Sequence, residues 1–123
     1  MSLTRAVRGA ITVEKDTVED IKSATVEMLS TILEKNNFEV SDIVYVEFTV
    51  TSDIKSATPA KFARTELGWN TVPLMVLREF EFENSLKKAI RVLIVFNSEL
   101  SQTDIRHVYL KGAEKLRPDL KLK

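Results

Sequence analysis

The sequence predicts an α+β fold: a mixed five-stranded sheet with one long and one short helix on one face. Three observations predict it. A long stretch of helical periodicity follows a first strand-like run. A second, shorter helix carries its own start and stop signals. Three further strand-like runs then succeed one another, so the order reads βαβαβββ. The 123 residues contain no repeat and no low-complexity linker. They are read as one domain, 1–123, with residues 114–123 a C-terminal tail.

"TRAVRGAITV" (Thr4 to Val13) is rich in small and β-branched residues and reads as the first strand, with Gly9 allowing close approach. Helix follows from about Val18 to Lys35, because Ile21, Ala24, Met28, Leu29, Ile32 and Leu33 recur at helical spacing. Thr17 caps it, Asp20 is an approximate capping-box partner, and Asn36-Asn37 stops it. "SDIVYVEFTVTSD" alternates: Val44, Val46, Phe48 and Val50 face one way, and Tyr45, Glu47, Thr49 and Thr51 the other. Thr58-Pro59 opens the short helix and Gly68 ends it. "VPLMVLREFEF" is a third strand, with Pro73 favouring an edge. "KAIRVLIVF" is a fourth. "HVYL" reads as a fifth, although "QTDIRHVYLKGAEKL" also fits a helix. One long helix cannot cover both faces of such a sheet, so the bare face is expected to meet another copy of the chain.

Composition closes off several chemistries. Lys+Arg and Asp+Glu are both 18, so bulk charge points to neither nucleic acid nor a membrane. No cysteine is present, which excludes disulfides and thiolate nucleophiles. The single histidine, His107, argues against a His-based metal site or a Ser/His/Asp triad and reads as structural. The N-terminus lacks a signal-peptide core, and the longest apolar run, Val92 to Phe96, is too short to span a bilayer. A cytoplasmic protein without cofactor or metal is expected.

What stands out is charge inside strands. Arg91 interrupts the apolar run from Ala89 to Phe96, Arg8 lies between Ala6 and Ala10, and Glu79 shares a face with Met75 and Leu77. A buried, unpaired ion costs several kcal/mol, about the penalty of desolvating it. Plain readings exist: Arg8 as a solvent-facing edge residue, Glu79 as a solvated strand end, Arg91–Glu79 as a structural ion pair. Lys61 and Arg64 can be a solvated helix face, Arg117 a surface residue, and Trp69 a core residue. Taken together on a functional reading, Arg8, Lys61, Arg64, Arg91 and Arg117 would give an excess of cations around one carboxylate, Glu79, a convergence that composition alone does not show. Such a set suits a small dicarboxylate, because the planar guanidinium grips carboxylates and stays charged.

"RAVRGAITVEKDT", "PAKFARTELGW", "VPLMVLREF", "KKAIRVLIVFN", "IRHVYL" and "LRPDL" occur in that order. Together they resemble the small trimeric bacterial chorismate mutases, the AroH class, over nearly the whole chain. The resemblance implies a trimeric pseudo-α/β-barrel, with helices outside and active sites between subunits. It implies the Claisen [3,3] rearrangement of chorismate to prephenate in aromatic amino acid biosynthesis, a reaction needing neither nucleophile nor acid–base pair.

The site residues it implies are carried over by position. Arg91 stands by the ether oxygen, Arg8 binds a substrate carboxylate, Tyr109 donates a hydrogen bond, and Glu79 accepts from the ring hydroxyl. Thr58, Ala60, Lys61 and Arg64 come from the neighbouring subunit. Leu74, Met75 and Val76 form a wall, and Leu116 and Arg117 belong to a closing tail. Thr58 stands where the family often has phenylalanine, Met75 where threonine is common, and Val76 where cysteine is common. Two other readings compete: a non-catalytic trimeric binder of small carboxylates, and a Rid-like imine deaminase. Arg8, Glu79, Arg91 and Tyr109 occurring together favour the mutase.

Overall fold

Caps and periodicity set the helices. Thr17 accepts the Asp20 N–H at 3.1 Å through its side chain and opens α1 (Val18–Asn36). Asp20 does not return the bond to Thr17; its carboxylate takes the Lys15 N–H instead. The left-handed Asn37, φ 50°, closes the helix, and its N–H bonds Leu33 O. Thr58 caps α2 (Pro59–Leu67), proline takes the first helical position, and the left-handed Gly68, φ 72°, ends it.

The computed structural model describes residues 2–117. Its strands are β1 (Leu3–Thr12), β2 (Ile43–Val50), β3 (Leu74–Arg78), β4 (Ala89–Ser98) and β5 (Val108–Tyr109). They form one five-stranded sheet in the order β3-β2-β4-β1-β5. β4 runs antiparallel to both its neighbours, whereas β5 on β1 and β3 on β2 are parallel. The chain therefore makes two crossovers, β1-α1-β2 and β2-α2-β3, both stepping in the same direction across the sheet. Right-handed crossovers in one direction place both helices on one face. α1 packs on β1, and α2 packs on α1 and β3.

The core lies between that face and the helices. Val7 and Ile11, Phe48, Ile90, Ile94 and Phe96 meet Ile21, Met28, Leu29 and Ile32, and Trp69 is fully buried beside them. Gly9 lets the helix pack closely here: a Cβ would come within 2.6 Å of Ile32 Cδ1, which would have to shift.

Three boundaries differ from the sequence reading, each for a local reason. β2 carries an irregularity between Ile43 and Tyr45 that makes Val44 an extra residue, so the alternation holds only beyond it and Val44 is exposed. β3 stops at Arg78 because its partner β2 stops at Val50; Phe80 and Phe82 extend past the sheet, 76% and 70% exposed. The ambiguous C-terminal stretch divides: a 3-10 turn at Gln102–Asp104, the two-residue strand β5, then a 3-10 turn at Lys111–Leu116. Lys111 has φ 53°, a left-handed residue that ends the strand. Of the expected tail, Glu114, Lys115 and Leu116 belong to that last turn, Arg117 follows it, and 118–123 lie outside the described residues.

Candidate functional site on the open sheet face

Pairing across the sheet decides which side chains meet. On the face away from α1, cross-strand partners give one row: Tyr109, Ala10, Arg91, Thr49 and Leu77. The adjacent row holds Arg8, Leu93, Glu47 and Met75. The central strand thus carries Arg91 outward, between alternate residues Ile90 and Val92 that anchor the core. Arg8 stands opposite Leu93 and diagonal to Arg91, within reach of a shared ligand.

Arg8, Glu47, Thr49, Arg91, Val92 and Leu93 line an open depression of about 270 Å³. A larger depression, about 460 Å³, lies by Lys35, Asp42 and Glu99 and holds no pair of arginines. Charge distinguishes the site; size does not.

Glu79 lies just beyond β3, held by its N–H to Val50 O at 2.9 Å. Its Oε2 accepts the Thr49 hydroxyl at 2.8 Å and lies 3.0 Å from Arg91 Nε. That nitrogen is nevertheless buried and, among the described residues, has no hydrogen-bond partner. Distance alone suffices for charge attraction, whereas a hydrogen bond also needs direction. We therefore describe an ion pair in which the Arg91 Nε–H is not aimed at the carboxylate. The Arg91 side chain remains 31% exposed and that of Glu79 13%, so the arginine still reaches the cleft.

Tyr109 is buried with Ala10 and Ala113, and Leu86 and Leu116 pack against them. Among the described residues its hydroxyl has no hydrogen-bond partner. The last 3-10 turn is fixed over this end of the sheet by the Gly112 N–H, which donates to Thr12 Oγ1 at 3.0 Å. Arg117 follows that turn. Burial, then the Arg8 and Arg117 cations, hold His107 below the ordinary histidine range. The Arg8 N–H also donates to His107 Nδ1 at 3.0 Å.

The remaining expected residues stay apart within the chain. Thr58 spends its hydroxyl on the Ala60 N–H, capping α2, and Ala60 is buried. Lys61 and Arg64 are exposed on α2 and do not line the depression. Asp16 fixes the approach to α2: its Oδ1 accepts the Lys55 and Ser56 N–H groups, each at 3.0 Å, which draws its carboxyl below the usual range. Leu74 and Val76 point to the helix side and Met75 to the open face, 61% exposed at the sheet edge.

The sequence reading singled out neither Thr49 nor Glu47 for the site. Their alternation already put them on the face opposite Val46 and Phe48, which was the available signal. The same holds for Leu93, two residues from Arg91.

Fold and site together define an enzyme-like arrangement: a cationic sheet face around the engaged Glu79 carboxylate, with four of the expected site residues, Thr58, Ala60, Lys61 and Arg64, on α2 and its cap, away from the depression. Residues 4–120 match the family model for chorismate mutase type I. The chain is 47% identical over 119 residues to the chorismate mutase AroH of Thermus thermophilus, covering 96% of this chain and 97% of that one. It is 40% identical over 120 residues to the chorismate mutase AroH of Bacillus subtilis, covering 98% and 94% respectively. A solved chorismate mutase from Clostridium thermocellum superimposes with a TM-score of 0.86 at 42% identity, covering 89% of this chain and 97% of that structure. The chain belongs to the chorismate mutase type I family, and its enzyme class is isomerase.

Proposed function

We propose that this single-domain protein rearranges chorismate to prephenate at the open sheet face, as a cytoplasmic homotrimer. The carrying observation is Arg91: a cation on the central strand, its Nε fixed 3.0 Å from Glu79 Oε2, with a side chain that still reaches the cleft.

The reaction breaks an ether C–O bond while forming a C–C bond, and negative charge gathers on the ether oxygen in the transition state. Arg91 places positive charge at that oxygen and is set in position before substrate arrives. Arg8 takes a carboxylate of the substrate, consistent with its exposed guanidinium one diagonal step away. Among the described residues the Thr49 hydrogen bond and the closest Arg91 approach both fall on Glu79 Oε2, and the ring hydroxyl is assigned to Oε1. Tyr109 supplies its unpartnered hydroxyl. Together these groups hold a flexible molecule in its compact reactive form, so that much of the entropic cost falls on binding.

Thr58, Ala60, Lys61 and Arg64 complete the cleft from a neighbouring subunit, with the Met75 side chain and the backbone of Leu74 and Val76 as wall, and Leu116 and Arg117 at its mouth. Two observations support the trimer: α2 turns its cations away from this chain's own depression, and the open face leaves Met75 and Leu77 exposed. The test is direct. Purified protein is mixed with chorismate, and prephenate is followed by its acid conversion to phenylpyruvate. Turnover far above the spontaneous rate is expected; background turnover by a folded protein rules the reading out.

A further inference from the structure

Among the described residues, the outer edge of β1 has a strand partner only at Gly9 and Ala10, where β5 pairs with it. Before Gly9, side chains replace the strand. Gln102 bonds both backbone groups of Ala6, accepting its N–H at 3.0 Å and donating to its carbonyl at 2.7 Å. His107 Nδ1 accepts the Arg8 N–H at 3.0 Å, where a strand carbonyl would otherwise stand.

That bond fixes the state of the ring. Nδ1 must be bare, so the proton of the neutral imidazole sits on Nε2. An imidazolium has no acceptor and would strand the Arg8 N–H. The charged groups acting on the ring are both cations, Arg8 on β1 and Arg117 after the last 3-10 turn. The neighbouring tie to α1 is neutral, with Asn36 bonding both backbone groups of Arg106. Among the described residues, no carboxylate appears among the groups that shift it.

We propose that neutral His107 is a positioning residue for Arg8: it holds the backbone that aims the guanidinium, and proton uptake by the ring releases it and weakens substrate capture. The inference rests on Arg8 binding a substrate carboxylate. His107 touches no reacting atom, so its effect falls on KM.

The full-length protein tests this with H107A, which removes the acceptor, and H107N, whose amide oxygen can accept without titrating. Chorismate turnover is measured from about pH 4.5 to 7.5, reaching below the ordinary histidine span because the ring is held lower. H107A is expected to raise KM about tenfold with kcat changed no more than about twofold, the effect of one lost hydrogen bond to a binding group. H107N is expected to restore KM. Wild-type KM is expected to rise as pH falls below the ordinary histidine value of 6.5, while that of H107N stays flat. An unchanged KM in H107A, a loss confined to kcat, or the same acid rise in wild type and H107N overturns the proposal. If H107A does not fold, H107N against wild type decides alone.

His107 is the chain's single histidine, so its imidazole nitrogens give one unambiguous NMR pair. A bare Nδ1 in the free protein supports the bond, and a protonated Nδ1 overturns it. That spectrum needs no turnover, so it separates failure of this inference from failure of the proposed function.

Discussion

Replacing Arg91 with citrulline removes one charge and keeps nearly the same shape. The expected loss follows from placement. A full unit charge about 4 Å from the oxygen, at an effective dielectric of 20, contributes roughly 4 kcal/mol. The ether oxygen carries only part of a charge, which brings the term toward about 2 kcal/mol, so turnover falls roughly thirty- to a thousandfold. Folding is less affected. The Arg91 side chain is 31% exposed, so water compensates part of the broken pair, and Glu79 keeps the Thr49 hydroxyl. A stability loss of about 1 kcal/mol is expected, in the range of a partly exposed pair. Steady-state kinetics with chorismate and urea unfolding measure the two effects separately. Turnover within about threefold of wild type in a native assembly refutes the electrostatic role, since that equals well under 1 kcal/mol.

Glu79→Gln keeps the shape but weakens acceptance from the ring hydroxyl, and it should lower kcat/KM about tenfold or more, as losing a charge-assisted hydrogen bond does; an unchanged value removes Glu79 from the site. Gly9→Ala pushes a methyl to 2.6 Å from Ile32 Cδ1 and 3.2 Å from Val92 Cγ1. It should cost about 1–3 kcal/mol by overpacking, read from the urea midpoint. Asp16 titrates lower when folded than its ordinary 3.8, because backbone N–H groups bind its charged form. Its contribution is therefore complete above that value and lost as pH falls through the lower folded value. Asp16→Asn should flatten the acid limb of the stability curve below about pH 4 and leave its neutral part sloping as before, checked by thermal melts against pH.

The sheet-and-helix skeleton was legible where signals were local. α1 and α2 carried their caps in Thr17, Thr58-Pro59 and Gly68, and the alternation of β4 put Arg91 opposite a core face. What local signals could not give was neighbourhood. The row Tyr109, Ala10, Arg91, Thr49 and Leu77 arises only because β4 inserts between β1 and β2. Such pairings depend on contacts far apart in sequence and leave no local signature. Glu79 gains its Thr49 partner only through the parallel register of β3 on β2. The β5 region stayed ambiguous because a two-residue strand is too short to show a period, and side chains of Gln102 and His107 do part of its pairing. Six motifs in register reached the charged set that periodicity could list but not assemble.

The central claim is that one chain holds Arg91, Arg8 and Glu79 while its neighbour completes the cleft through Arg64. Mixing the two single variants tests it most directly. Arg91→Ala and Arg64→Ala are each prepared alone, then unfolded together, refolded at equal amounts and assayed with chorismate. Random assembly into a closed ring leaves about a quarter of the clefts with both arginines, so the mixture should recover about that fraction of wild-type turnover. A mixture no more active than the separate variants, in assemblies shown to contain both chains, contradicts the shared cleft.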